Sequence, residues 1–162
     1  MAIMESIDLL VLRSVHDWVK AGEPVLLATV ARTWGSSPRP VGSMMALRGD
    51  GRVVGSVSGG CIEDDLIHRY TTAYGGPGMQ TGRPEVVRYG VSAEDAHRFG
   101  LPCGGTLQLI LEFEPSAEHL EQLLAGLDNG HLVRRELDVH SGEVTLAPST
   151  TPDQFSFDGQ RM

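Results

Sequence analysis

Two cysteines occur in the 162-residue chain, and each lies against a glycine pair. The first closes the stretch Gly55-Ser56-Val57-Ser58-Gly59-Gly60-Cys61, and the second opens Cys103-Gly104-Gly105-Thr106. A thiolate is a nucleophile and a soft metal ligand, and glycine lets a ligand or another backbone come close. Beyond Cys61 a helix is expected, because Ile62, Leu66, Tyr70 and Ala73/Tyr74 recur at three- and four-residue spacing. Cys61 therefore falls at or just before a helix N-terminus, beside backbone N–H groups without intrahelical partners. Glu63, Asp64 and Asp65 follow in the first turn. There the macrodipole favours negative charge, while like charge opposes a thiolate. The balance of the two effects is open at this level. The two cysteine loops are expected to form one site.

Anion binding is the second chemistry these loops suggest. Gly59-Gly60 ahead of a helix and Gly104-Gly105 after a cysteine can offer N–H groups to a phosphate or oxo group. Arg32 and Arg39 could supply the positive charge. A Walker loop is excluded, since the one lysine is Lys20. A dinucleotide fingerprint is also missing, because Gly49-Asp50-Gly51 is followed by Val54 where a third glycine is needed. Two cysteines without paired ligand spacing do not make a zinc site, and His16, His68, His97, His119, His131 and His140 are scattered. A disulfide would close a loop of about forty residues and stabilise by roughly 3–4 kcal/mol. A cytoplasmic chain with reduced thiols is the simpler expectation. Arg48-Gly49-Asp50 reads as a hairpin tip.

A formal net charge of −8 argues against general affinity for nucleic acid or an anionic membrane. No apolar run reaches the length of a membrane span, and Met1-Ala2-Ile3-Met4-Glu5 lacks the pattern of a secretory signal.

The elements that must position the loops follow from periodicity. Residues 5–21 read as an amphipathic helix with Ile7, Leu10, Val11, Val15 and Trp18 on one face and Gly22 as its stop. Val25 to Val30 suits a strand covered on both sides, leading into a turn-rich stretch from Arg32 to Gly42. Met44 to Leu47 and Arg52 to Gly55 flank the hairpin tip. Val86 to Tyr89 is a short strand, Ser92 caps a brief helix from Ala93 to Phe99, and Thr106 to Phe113 is a strand. Ser116 opens a helix with Leu120, Leu123, Leu124 and Leu127 inward, and a hairpin spans Leu132 to Ala147. An α/β class is expected, with mixed α+β possible: one compact domain over 1–147, a mixed sheet flanked by helices, and a polar tail or linker over 148–162. No Rossmann second domain is expected.

Three stretches, Gly35-Ser36-Ser37-Pro38-Arg39-Pro40-Val41-Gly42-Ser43-Met44-Met45, Gly51 to Glu63 and Cys103 to Thr106, closely resemble the N-terminal domain of the XdhC/CoxI family. These are accessory proteins of xanthine dehydrogenase and related molybdenum hydroxylases. The resemblance runs from the first helix to about Phe113 and implies a chaperone that binds molybdenum cofactor. Such a chaperone assists sulfuration of the cofactor and its insertion into a target hydroxylase, alongside a cysteine desulfurase. By position it implies a cofactor site of Ser36, Ser37, Arg39, Ser58, Gly59, Gly60, Cys61, Cys103, Gly104 and Gly105. Cys61 and Cys103 are candidate ligands to the molybdenum, and Cys61 is the candidate catalytic thiol. The alternatives are a thiol sulfurtransferase carrying persulfide on Cys61 and a non-catalytic docking module. Exposed strand edges leave a homodimer open.

Overall fold

Val25–Trp34 forms β1, the strand on which the sheet is built. Leu26, Ala28 and Val30 point to one layer while Val25 and Leu27 point to the other, which explains the unbroken apolar run. The computed structural model describes residues 6–35, 39–58, 60–90, 94, 105–150 and 155–162. Of the site residues expected from sequence, Ser36, Ser37, Gly59, Cys103 and Gly104 lie outside these, as does most of the helix expected at 93–99.

Met44–Arg48 (β2), Val53–Gly55 (β3), Glu85–Tyr89 (β4) and Thr106–Phe113 (β5) complete a five-stranded sheet in the order β3-β2-β1-β5-β4. The expected α/β architecture forms, but the sheet is not mixed as expected: its described pairings are all antiparallel, each strand meeting its neighbour by a reversal of the chain. β1 continues past Val30, through residues that read as loop in the sequence. A bulge between Val30 and Arg32 restores its pairing with β5, so Arg32, Thr33 and Trp34 meet Gln108, Leu107 and Thr106. Gly55 has φ +83°, and a Cβ there would sit 2.5 Å from both the Met44 carbonyl oxygen and Val11 Cγ2. Only glycine fits that position.

Cys61–Tyr70 (α2) covers one face, burying Ile62, Leu66 and Tyr70 against Leu26, Met45, Leu109 and Leu111. The other face carries Ser6–Lys20 (α1) and Ala117–Asp128 (α3), packed through Val11, Leu12, Val15, Leu120, Leu123 and Leu124. The face of α1 expected from spacing is corrected here. Val11 and Val15 are buried and Trp18 packs beside them as expected, but Ile7 and Leu10 are 36% and 51% exposed and Leu12 turns inward in their place. The cause is the partner: α3 and β2 meet α1 along its later turns.

A second sheet, Val133–Leu137 (β6) with Val144–Pro148 (β7), leans on the same face as α1 and α3. Leu137 and Val139 pack against Ile110 and Ala31. Residues 155–162 come back to this hairpin. The Leu137 amide donates to the Met162 carbonyl at 2.7 Å, and the Val139 amide to that of Gln160 at 2.8 Å.

Candidate functional site

The register gathers the predicted loops at one end of the sheet. β1 ends at Trp34 opposite Thr106, the first residue of β5. β3 ends at Gly55 opposite Met45, near the start of β2, and β4 ends at Tyr89 opposite Leu107. Gly35, Ser56 and Gly105, the described residues next to these strand ends, therefore lie on the same side. Gly35 and Gly105 touch: a Cβ on Gly35 would lie 3.2 Å from the Gly105 Cα. Arg39 is half-buried in the stretch that returns to β2, where the Gly42 amide donates to the Val30 carbonyl at 2.8 Å. The loop holding Ser58, Gly60 and Cys61 shares this end through β2 and β3, and the Ser56 amide donates to the Met44 carbonyl at 3.2 Å.

Cys61 is the first residue of α2, and its free thiol is exposed. Gly60 caps the helix at φ 129°, ψ −38°, a conformation closed to residues with a Cβ, and as a glycine it offers the first-turn amides no side-chain acceptor.

What fixes the loop is Glu63. Its side chain folds back under the loop and is buried, at 8% exposure. Oε1 accepts from the Val57 amide at 2.9 Å, the Ser58 amide at 2.7 Å and the Ser56 hydroxyl at 3.1 Å. Oε2 accepts from the Ser58 hydroxyl at 2.5 Å. Burial alone would raise the pKa of this carboxyl. The Ser58 hydroxyl and the Val57 and Ser58 amides outweigh it and hold the group below its ordinary value. The three carboxylates after Cys61 thus have different surroundings. Glu63 is spent on the loop, and Asp64 is exposed. Asp65 accepts from the Tyr89 hydroxyl at 2.6 Å and pairs with Arg69 at 2.8 Å, tying α2 to β4. Burial and then Asp65 push the Tyr89 phenol upward.

Sequence reasoning assigns Glu63 only to the helix dipole and misses this role. A signal for it exists: a glutamate at the third helical position commonly reaches back to amides ahead of the helix. Arg32, expected to face an anion in this cluster, lies over the Phe157 ring at 4.8 Å on the opposite face of the sheet from α2. Among the described residues no group of three or more His, Cys, Asp or Glu is placed to hold a metal ion. Two grooves lie elsewhere. One of about 300 Å³ runs between α1 and α3 beside His16 and Glu121. The other, about 700 Å³, lies between Pro84, Glu112 and Gly142.

Comparison with known proteins gives this arrangement a family. Residues 18–90 match the XdhC and CoxI family, a span that takes in β1, the Arg39 stretch, the Glu63-held loop and α2. These residues belong to the XdhC and CoxI family. The match stops at Gly90, ahead of the second cysteine. Over 151 residues, 92% of the chain, it is 30% identical to the molybdenum cofactor insertion chaperone PaoD of Escherichia coli, of which it covers 45%. It is 28% identical over 123 residues to a probable xanthine dehydrogenase subunit from Bacillus subtilis, covering 74% of this chain and 36% of that protein. A solved structure titled as a xanthine dehydrogenase of Bacillus halodurans matches 96% of the chain and 47% of its own, at a TM-score of 0.63 and 25% identity. The chain spans under half the length of each of these relatives. No helix among the described residues is long and apolar enough to cross a membrane.

Proposed function

We propose that this chain binds molybdenum cofactor as cargo and assists its insertion into a xanthine-dehydrogenase-type molybdenum enzyme. The observation that carries the reading is the similarity to an insertion chaperone over 92% of the chain. The geometry supports it, because an exposed thiol stands on a loop held by a buried carboxylate. A soft thiolate suits a molybdenum–sulfur centre. The amides at the start of α2, to which Gly60 offers no side-chain acceptor, suit the phosphate of the pterin together with Arg39 at the same sheet end. Ser36, Ser37, Gly59, Cys103, Gly104 and Gly105 complete the proposed cradle. Sulfuration of the cofactor alongside a cysteine desulfurase, in the cytoplasm, belongs to the same proposal.

The test is equilibrium binding of anaerobically prepared cofactor to the native chain, Cys61→Ser and Cys103→Ser, counting molybdenum and pterin in the retained fraction. Native protein is expected to retain both together, and Cys61→Ser to lose about tenfold or more in affinity, as for a lost charge-assisted contact. No retention by the native chain would overturn the reading.

Exposure of Cys61 also favours a second reading, a sulfur carrier. The Cys61 thiolate attacks the outer sulfur of a desulfurase persulfide, a new S–S bond forms, and the desulfurase thiolate leaves. Mass spectrometry after incubation with desulfurase and cysteine is expected to show one extra sulfur on Cys61, removed by reductant. An unmodified Cys61 would end that reading.

A further inference from the structure

Three basic side chains, Arg13, His16 and Lys20, recur at three- and four-residue spacing along α1 and so share one side of it. Across the seam α3 answers with Asp128 and Glu121. Arg13 pairs with Asp128 at one end, and Lys20 Nζ stands 3.9 Å from Glu121 Oε2 at the other. His16 lies between them, its Nε2 also 3.9 Å from Glu121 Oε2. Arg13 and Lys20 keep their charge throughout the neutral range. Of the three, only a histidine changes its charge there.

The hydrogen bond on the other side of the ring fixes what a proton does. His16 Nδ1 is 3.0 Å from Asp17 Oδ1. A carboxylate only accepts, so Nδ1 carries the hydrogen and the neutral ring presents a lone pair at Nε2. That atom is buried and has no hydrogen-bond partner among the described residues. Facing it is the Glu121 carboxylate, a second acceptor, so the neutral ring sets a lone pair against a negative charge. One proton on Nε2 turns the mismatch into a charge-assisted contact between two helices. Glu121 is 62% exposed and has the room to close the remaining distance. The other charged groups around the ring are already engaged. Asp17 takes Nδ1, and Arg13 and Asp128, which line the same groove, hold each other. The strands beneath α1 meet it with Leu27, Ala46 and Val54, and the hairpin brings Val133 and Leu146 to the same cluster. Arg48 on β2 pairs with Asp50 and lies over the Trp18 ring at 5.3 Å.

We infer that His16 is a proton-operated latch between α1 and α3. Uptake of a proton at Nε2 bridges the ring to Glu121 and tightens the seam, and loss of that proton as pH rises through the neutral range releases it. The latch is independent of the cofactor reading, because the seam lies on the sheet face opposite α2 and uses none of the residues proposed to hold cargo.

The test is urea unfolding of the full chain between about pH 8 and pH 5.5, with a chelator present so that a proton is the one ligand varied. Native chain, His16→Gln, Glu121→Gln and the double variant are compared. As pH falls, the native chain is expected to gain on His16→Gln, the ratio of their unfolding constants changing about threefold, as for a partly exposed ion pair. The gap to Glu121→Gln should open over the same pH range, because the proton then has no carboxylate across the seam. With Glu121 already replaced, changing His16 should make a difference that does not vary with pH. A purely structural histidine lowers stability equally at every pH, so the slope separates the two roles. Glu121 is exposed, and its variant keeps the test open even where His16→Gln folds poorly. A gap between native chain and His16→Gln that stays constant with pH overturns the inference. So does a gap that still opens when Glu121 is already glutamine, since Asp17 alone would then account for the proton.

Discussion

Glu63 does at the residue scale what a rigid strand does elsewhere: it gives a glycine-rich loop one conformation. Four donors converge on its two oxygens, all from Ser56, Val57 and Ser58. A buried carboxylate so supplied contributes more than neutral hydrogen bonds do, and it leaves amides without an acceptor when removed. Glu63→Gln is expected to cost about 1.5–3 kcal/mol at pH 7, measured by urea unfolding, and Glu63→Ala more. The loss should depend on pH. A carboxyl whose folded pKa lies below its unfolded value of about 4.3 contributes stability that is complete above that value. The contribution then fades as pH falls through the folded pKa, which is the direction found for Glu63. The gap between native chain and Glu63→Gln should therefore be constant from about pH 7 to pH 5 and close below about pH 4. An equal gap at pH 7 and pH 3 would show that the charge plays no part. Cys61 at a helix start is legible in the sequence, since glycine, spacing and a following apolar period all point there. The fold-back of Glu63 is not, because the same glutamate suits the helix dipole equally well, and only its burial separates the two roles.

At the scale of elements, the join between the main sheet and the β6–β7 hairpin combines the apolar contact of Leu137 and Val139 with a buried ion pair. Arg135 on β6 reaches Glu112 on β5 with two hydrogen bonds, at 2.5 Å and 3.2 Å, and their side chains are 15% and 5% exposed. Burial acts against the Arg135 charge, and Glu112 more than offsets this, so its pKa rises. Removing one partner leaves the other charge buried alone, which costs far more than the pair contributes. Glu112→Ala is expected to lose about 3–5 kcal/mol, and Glu112→Leu combined with Arg135→Met to recover most of it. Unfolding of Glu112→Leu, Arg135→Met and the double variant forms the cycle, and a loss under about 1 kcal/mol in Glu112→Ala would contradict the expectation. The strands themselves are legible by their apolar runs, and Thr106–Phe113 forms with the bounds the sequence predicts. Arg32 to Trp34 read as loop, because polar and bulky residues near a Gly-Ser-Ser-Pro stretch resemble turn chemistry. Pairing with β5 across a bulge overrides that local preference. The face of α1 misleads for a related reason: periodicity fixes the stripe of a helix, while the position of α3 fixes how much of it is covered.

The whole molecule is held by a contact that no local pattern announces. After Pro148 the chain is polar and without period, yet at 155–162 it pairs with β6 and places Phe157 and Met162 on the Ile110, Leu137 and Val139 cluster. Non-local pairing of this kind depends on what the rest of the sheet leaves uncovered, so composition carries no trace of it. The same segment reaches the end of β1, because Phe157 is the ring beneath Arg32. Gly42 also packs against Phe155, with a Cβ there lying 3.3 Å from that of Phe155. The segment thus spans from the hairpin to the stretch that follows Arg39. Shortening the chain at Thr150 should release the two β6-side amides that donate to it, those of Leu137 and Val139. Hydrogen exchange at these amides is expected to rise by at least about tenfold, since their closed state loses both its acceptor and its cover. The amides of Leu109 and Leu111, held between β1 and β4, should keep their protection. Alkylation of Cys61 should proceed at the native rate in the shortened chain, because Glu63 and its donors all precede the cut. Unchanged exchange at Leu137 and Val139 would mean that the segment rests on the hairpin without holding it.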